Sequence, residues 1–208
     1  MIGTSIVLIL LACLSASAQK IGKVSSASKN ADGQCVSGTF SFECPRDYKV
    51  LLSGSSSDRL FVAKSTKFDY AVFVVSDSSD NSMAEALPKI IKAFLPSGSQ
   101  TFEWKDVDAD SRRSSKFELE SKRRLGSNGK SLITLEYRRV EFNGKRLLTG
   151  TVVNGFARGN EVKKSFENGR ITTNGGCFDS INIIASFTNE KLDPEKGPCF
   201  FSLGMNAN

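Results

Sequence analysis

The patterned part of this chain opens on short alternating runs. Phe40, Phe42 and Cys44 fall on one side of an extended segment that begins at Thr39 and is stopped by Pro45. Three compact runs rich in β-branched and aromatic residues follow, Tyr48–Leu52, Arg59–Ala63 and Tyr70–Val75, separated by Ser, Gly and Asp clusters. That is the pattern of a strand meander. The period then lengthens. Met83, Leu87, Ile90, Ile91, Phe94 and Leu95 share a 3.6-residue stripe, which predicts a helix ended by Pro96 and Gly98. Ser82 with Glu85 supplies a capping box for it. Pro88 leaves two versions open: a helix kinked at Pro88, or one that starts near Leu87 with Pro88 at its first position.

Strands resume at Thr101–Trp104, where Phe102 and Trp104 read as core residues. Two Asn-Gly pairs, Asn128-Gly129 and Asn143-Gly144, are what tight type I′ turns need, because both central residues take positive φ. They join predicted strands Lys116–Leu125, Leu132–Phe142 and Lys145–Val153 as consecutive hairpins. The second turn sets Glu141 opposite Arg146 and Val140 opposite Leu147. Residues 155–175 are Gly- and Asn-rich, and their pattern is ambiguous between elements. A second helix runs from Cys177 to Phe187, before Asp193–Pro198 breaks the pattern. Strands, one helix, a run of antiparallel strands and a last helix predict an α+β fold, an antiparallel sheet with helices packed on it.

The chain ends extend this picture. The apolar run Ile6–Leu14 is shorter than the roughly 20 residues a membrane helix requires, and Ala16-Ser17-Ala18 follows it as an A-x-A cleavage site. Residues 1–18 therefore read as a signal peptide, with secretion or a periplasmic location as the consequence. Leu10-Leu11-Ala12-Cys13 resembles a bacterial lipobox, so a lipidated Cys13 is the alternative. Residues 19–38 read as a mobile leader, and residues 39–208 as a single domain with a pinned C-terminal tail. About 190 of the 208 residues then remain, enough for one domain with a substantial core. Cys35, Cys44, Cys177 and Cys199 stay in the exported chain and predict two disulfides. Three connectivities are open, with Cys35–Cys44 and Cys177–Cys199 preferred because each pair can approach locally.

Histidine is absent from all 208 residues. The commonest general base, nucleophile orienter and zinc ligand is thus missing. No G-x-S-x-G, S-x-x-K, nucleotide-binding glycine loop or C-x-x-C is present, so no catalytic residue, metal or cofactor is expected. Asp106, Asp108 and Asp110 alternate as calcium ligands would, but Ser111 replaces the turn glycine and Phe117 the bidentate Glu.

Charge adds one candidate surface. The chain carries 28 Lys and Arg against 22 Asp and Glu, a net charge of +6. Arg123, Arg124, Arg138, Arg139, Lys145 and Arg146 concentrate in the predicted hairpins and are the candidate anion-binding residues. Only Tyr137 and Phe142 interleave them, which argues against single-stranded nucleic acid. An anionic surface or a protein assembly is the partner class left.

The Phe40-Ser41-Phe42 opening strand, the Tyr48 strand, the Tyr70–Val75 strand before a helix, the long hairpins and the closing Ile183-Ile184-Ala185-Ser186-Phe187 together resemble the PsbP-like fold over about residues 40–188. The resemblance implies an α/β/α sandwich and a non-enzymatic accessory role on a larger assembly, with no functional residue carried over. The expected function is a non-catalytic exported binding or assembly-accessory protein. The alternative is an extracytoplasmic hydrolase with a His-free site, built on carboxylates or Ser–Lys. A pocket lined by carboxylates would favour the hydrolase; a flat basic face without a pocket would favour the binding module.

Overall fold

Ala71–Val75 is apolar without alternation, so both of its sides must be covered. The computed structural model places this run inside a seven-stranded antiparallel sheet, buried along its length. Residues 29, 32–53, 59–77, 79, 82–95, 101–107, 115–155, 157–169 and 176–188 are described. In chain order the elements are β1 (Cys35–Ser37), β2 (Phe40–Phe42), β3 (Tyr48–Leu52), β4 (Leu60–Ser65), β5 (Tyr70–Asp77), α1 (Ser82–Phe94), β6 (Glu103–Val107), β7 (Glu118–Ser127), β8 (Leu132–Phe142), β9 (Lys145–Asn154), α2 (Asn160–Glu167) and α3 (Gly176–Thr188). The fold is α+β. β1 and β2 form a hairpin of their own, and the large sheet runs β3-β4-β5-β9-β8-β7-β6. The chain enters at one edge, crosses by α1 to the other, and returns through three hairpins until β9 pairs with β5.

Alternation sorts the strand side chains onto two faces. On one, Val62, Phe73, Leu135, Leu148 and Val152 meet Met83, Ile90 and Phe94 of α1. On the other, Phe61, Val72, Val74 and Leu147 meet Phe40 and Phe42 of the hairpin and Ile183 of α3. α2 continues this second layer where Val162 packs on Leu125 and Leu132. No described helix is long and apolar enough to cross a membrane.

Several expectations are refined. α1 runs through Pro88 rather than starting beside it, and Pro88 is exposed. The Ser82 hydroxyl accepts from the Ser79 N–H at 3.1 Å, so Ser82 serves the helix start with Ser79. Asn143 and Gly144 both take positive φ, 51° and 70°, as a type I′ turn requires. Glu141 then faces Arg146, and Val140 faces Leu147. The other Asn-Gly pair behaves differently: Gly129 alone has positive φ. The Asn128 side-chain oxygen instead accepts from the N–H groups of Lys130 and Ser131 at 3.0 and 2.7 Å. That local bond closes a longer loop. β1 lies inside the stretch read as a leader, and Cys35 and Ser37 are buried there. α2 forms inside residues 155–175, where the pattern is ambiguous.

Candidate functional site

The alternation that builds the sheet also divides the six basic candidates. Arg123 and Arg138 point toward the α3 side, as their partners Glu136 and Thr149 in the register do. Arg138 is fully buried, so it is not a surface cation. Its Nη2 meets Glu136 at 2.7 Å, its Nη1 donates to the Ser180 hydroxyl at 3.3 Å, and its Nε lies 3.7 Å from Glu118. Arg123 Nε holds the other Glu136 oxygen at 3.2 Å. Arg124 and Arg139 project to the α1 side, paired with Asp106 at 2.8 Å and Glu120 at 3.3 Å. Arg146 pairs with Glu141 at 3.0 Å, while Lys145 is exposed at the turn. The candidates therefore do not share one face, and carboxylates meet most of them.

The other predicted positions are quickly placed. Asp106 lies on β6 against Arg124, and Asp108 and Asp110 fall outside the described residues. Among the described residues, no three His, Cys, Asp or Glu side chains come together as a metal site would need. Cys35 and Cys44 form a disulfide with Cα atoms 5.0 Å apart. The Cys177 side chain and Cys199 lie outside the description.

The structure forms a cleft where the pattern points to none. Tyr48 begins β3, Ser65 ends β4 and Tyr70 begins β5, all on the α3 side of one sheet end. The β2–β3 connection, residues 43–47, makes one wall and α3 the other. The disulfide ties that connection to β1, and the Glu43 N–H donates to the Ser186 hydroxyl of α3 at 3.1 Å. The space enclosed is about 550 Å³. At its base Asp179, in the first turn of α3, accepts hydrogen bonds from the hydroxyls of Tyr48 and Tyr70. Phe68, on the β4–β5 turn, stacks on Tyr70 with centroids 6.0 Å apart yet is 60% exposed.

Burial is the main force on these groups. It raises the Asp179 pKa above the usual carboxylate value; the two tyrosine hydrogen bonds oppose the rise and the nearby Asp47 charge adds to it. Burial, followed by the Asp179 charge, lifts the Tyr48 hydroxyl far above an ordinary phenol. Burial also raises Tyr70. Both phenols therefore stay protonated as donors and cannot act as bases near neutral pH. The cleft can orient a polar group against Asp179, and Asp179 itself can hold a proton.

Sequence reasoning places Tyr48 and Tyr70 as strand residues and assigns Asp179 no role. The available signal was a phenol at each of two strand starts, whose hydroxyls need partners once the rings are buried. No protein-family model matches this chain, and no curated protein matches it at a significant level.

Proposed function

We propose that this chain is an exported, non-catalytic binding protein whose ligand site is the Tyr48–Tyr70–Asp179 cleft. The observation that carries the reading is a half-buried carboxylate held by two neutral hydroxyls at the base of an open 550 Å³ space, within the size range of small-ligand sites. Export is supported by the Cys35–Cys44 bond and by the apolar run Ile6–Leu14 followed by Ala16-Ser17-Ala18. The PsbP-like resemblance belongs to the same proposal: α1 and α3 on opposite faces of the sheet suit its α/β/α sandwich, and an accessory role would follow. An anionic partner at the hairpins would have to displace the carboxylates that already hold Arg124, Arg139 and Arg146.

A hydrolase has two observations in its favour: three carboxylates, Glu43, Asp47 and Asp179, line the cleft, and burial together with the Asp47 charge raises the proton affinity of Asp179. A second working group is harder to find in the cleft. Asp47 is tied to Lys67 at 2.7 Å, and both phenols donate to Asp179. The test is a panel of chromogenic esters, glycosides, phosphate esters and peptides across pH 4–8. The wild-type chain should turn over none of them faster than Asp179→Asn does. Turnover lost in Asp179→Asn and in Asp47→Asn would replace binding with carboxylate hydrolysis.

A further inference from the structure

Charge pairing around the cleft narrows the ligand. Three carboxylates, Glu43, Asp47 and Asp179, and two cations, Arg46 and Lys67, line it. Glu43 pairs with Arg46 at 3.7 Å and Asp47 with Lys67 at 2.7 Å. Asp179 is the remainder, and no described cation pairs with it. When ionised it makes this corner of a +6 chain locally negative.

We infer that the cleft takes an organic cation, a primary amine or guanidinium carried on a carbon chain, with Asp179 as its counter-ion. This rests on the cleft being a ligand site. A half-desolvated carboxylate among neutral donors gains most from a positive group brought beside it. The rings around it suit the same ligand. Tyr48 and Tyr70 meet edge to face at 5.9 Å, and Phe68 lies nearly parallel to Tyr70. Aromatic faces attract ammonium and guanidinium groups within about 6 Å, and the exposed Phe68 ring gives the carbon chain an apolar surface. Polyols are served less well. The Ser65 hydroxyl already accepts from the N–H groups of Lys67 and Phe68, and the Ser186 hydroxyl donates to the Ile183 carbonyl and accepts from Glu43.

Such a cation could be a free amine or a Lys or Arg side chain of a peptide; the chemistry is shared. The experiment is an NMR titration of the full chain with agmatine, cadaverine and an end-blocked Gly-Lys-Gly peptide, against 1,5-pentanediol and glutarate. The three cations should saturate the site and shift Tyr48, Phe68, Tyr70 and the first turn of α3, while the diol and the diacid do not. Asp179→Asn should weaken cadaverine roughly tenfold or more, and Phe68→Ala, at an exposed ring, about threefold. Tighter binding of the peptide than of cadaverine identifies a protein side chain as the source, and the reverse order a free amine. Diol or glutarate binding as well as the amines would overturn the cation and leave the site. Silence from all five probes would overturn both. An Asp179→Asn variant that folds and binds cadaverine unchanged would overturn the counter-ion role; if it does not fold, the wild-type contrast and Phe68→Ala decide.

Discussion

Replacing the buried Arg138 by Met should destabilise this fold strongly. Arg138 and Glu118 are fully buried, and Glu136 is nearly so. With Arg123 they bring two cations and two carboxylates together, among the described residues, between the sheet and α3. Removing Arg138 takes a buried cation away from two buried carboxylates, Glu118 and Glu136. Breaking one side of a buried ion pair costs about 3–5 kcal/mol, a large share of the ~5–15 kcal/mol a domain has. With a urea dependence of about 2 kcal/mol/M, the unfolding midpoint should fall by about 2 M. The double variant Glu118→Gln, Arg138→Met removes one carboxylate together with the cation, while Arg123 and Glu136 remain paired. It should recover half of the loss or more, because a buried charge is costly mainly when left uncompensated. Urea titrations followed by circular dichroism, with unchanged slopes, would measure both. A single-variant loss under about 1 kcal/mol, or a double variant no more stable than the single, would show that Arg138 does not compensate these buried carboxylates.

Gly150→Ala should destabilise by about 3 kcal/mol or more in the same titration, at the top of the overpacking range; its new Cβ would lie 2.1 Å from the Glu136 carbonyl oxygen and 2.8 Å from the Phe73 ring. Replacing Cys35 and Cys44 together by Ser should cost about 2.5 kcal/mol by loop-closure entropy for a bridge of sequence separation 9, and non-reducing peptide mapping should recover the Cys35–Cys44 peptide from the wild type. Asp179 binds its proton more tightly folded than unfolded, so Asp179→Asn should exceed the wild type in stability at neutral pH. That advantage should shrink as pH falls through the raised folded value toward 3.8, and urea midpoints of the two chains across pH 3–8 would show it.

Much of the fold was legible because its signals are local. Period-2 and period-3.6 runs placed most strands and two helices, and the Asn143-Gly144 turn carried enough stereochemistry to give the β8–β9 register. Where local signals compete, the reading was less sharp. Asn128 can close its loop with its own side chain, so the same dipeptide produced a different turn. β1 spans three residues, and its stability comes from the pairing with β2 and from the disulfide rather than from its composition. The basic hairpins show a further limit. Arg123 and Arg124 are neighbours in sequence but lie on opposite faces, and the carboxylates that hold them come from other strands.

The cleft was hidden for a related reason. Tyr48, Tyr70 and Asp179 are separated by 22 and 109 positions and meet only because β3, β5 and α3 begin at the same end of the sheet. No periodicity links them, and each has an ordinary local explanation: a strand-forming phenol twice, and an acidic residue in a helix's first turn, which is favoured there anyway. Net charge and local field are different quantities. The first adds over the whole sequence, so it reads as +6 and suggests anionic partners. A local field depends instead on which charges are already paired and how far they are desolvated. In this fold carboxylates meet Arg124, Arg138, Arg139 and Arg146, while Asp179 is held by neutral hydroxyls. Among the described charges that line the cleft, the one held by no cation is negative, and the ligand inferred there has the opposite sign to the one the composition suggests.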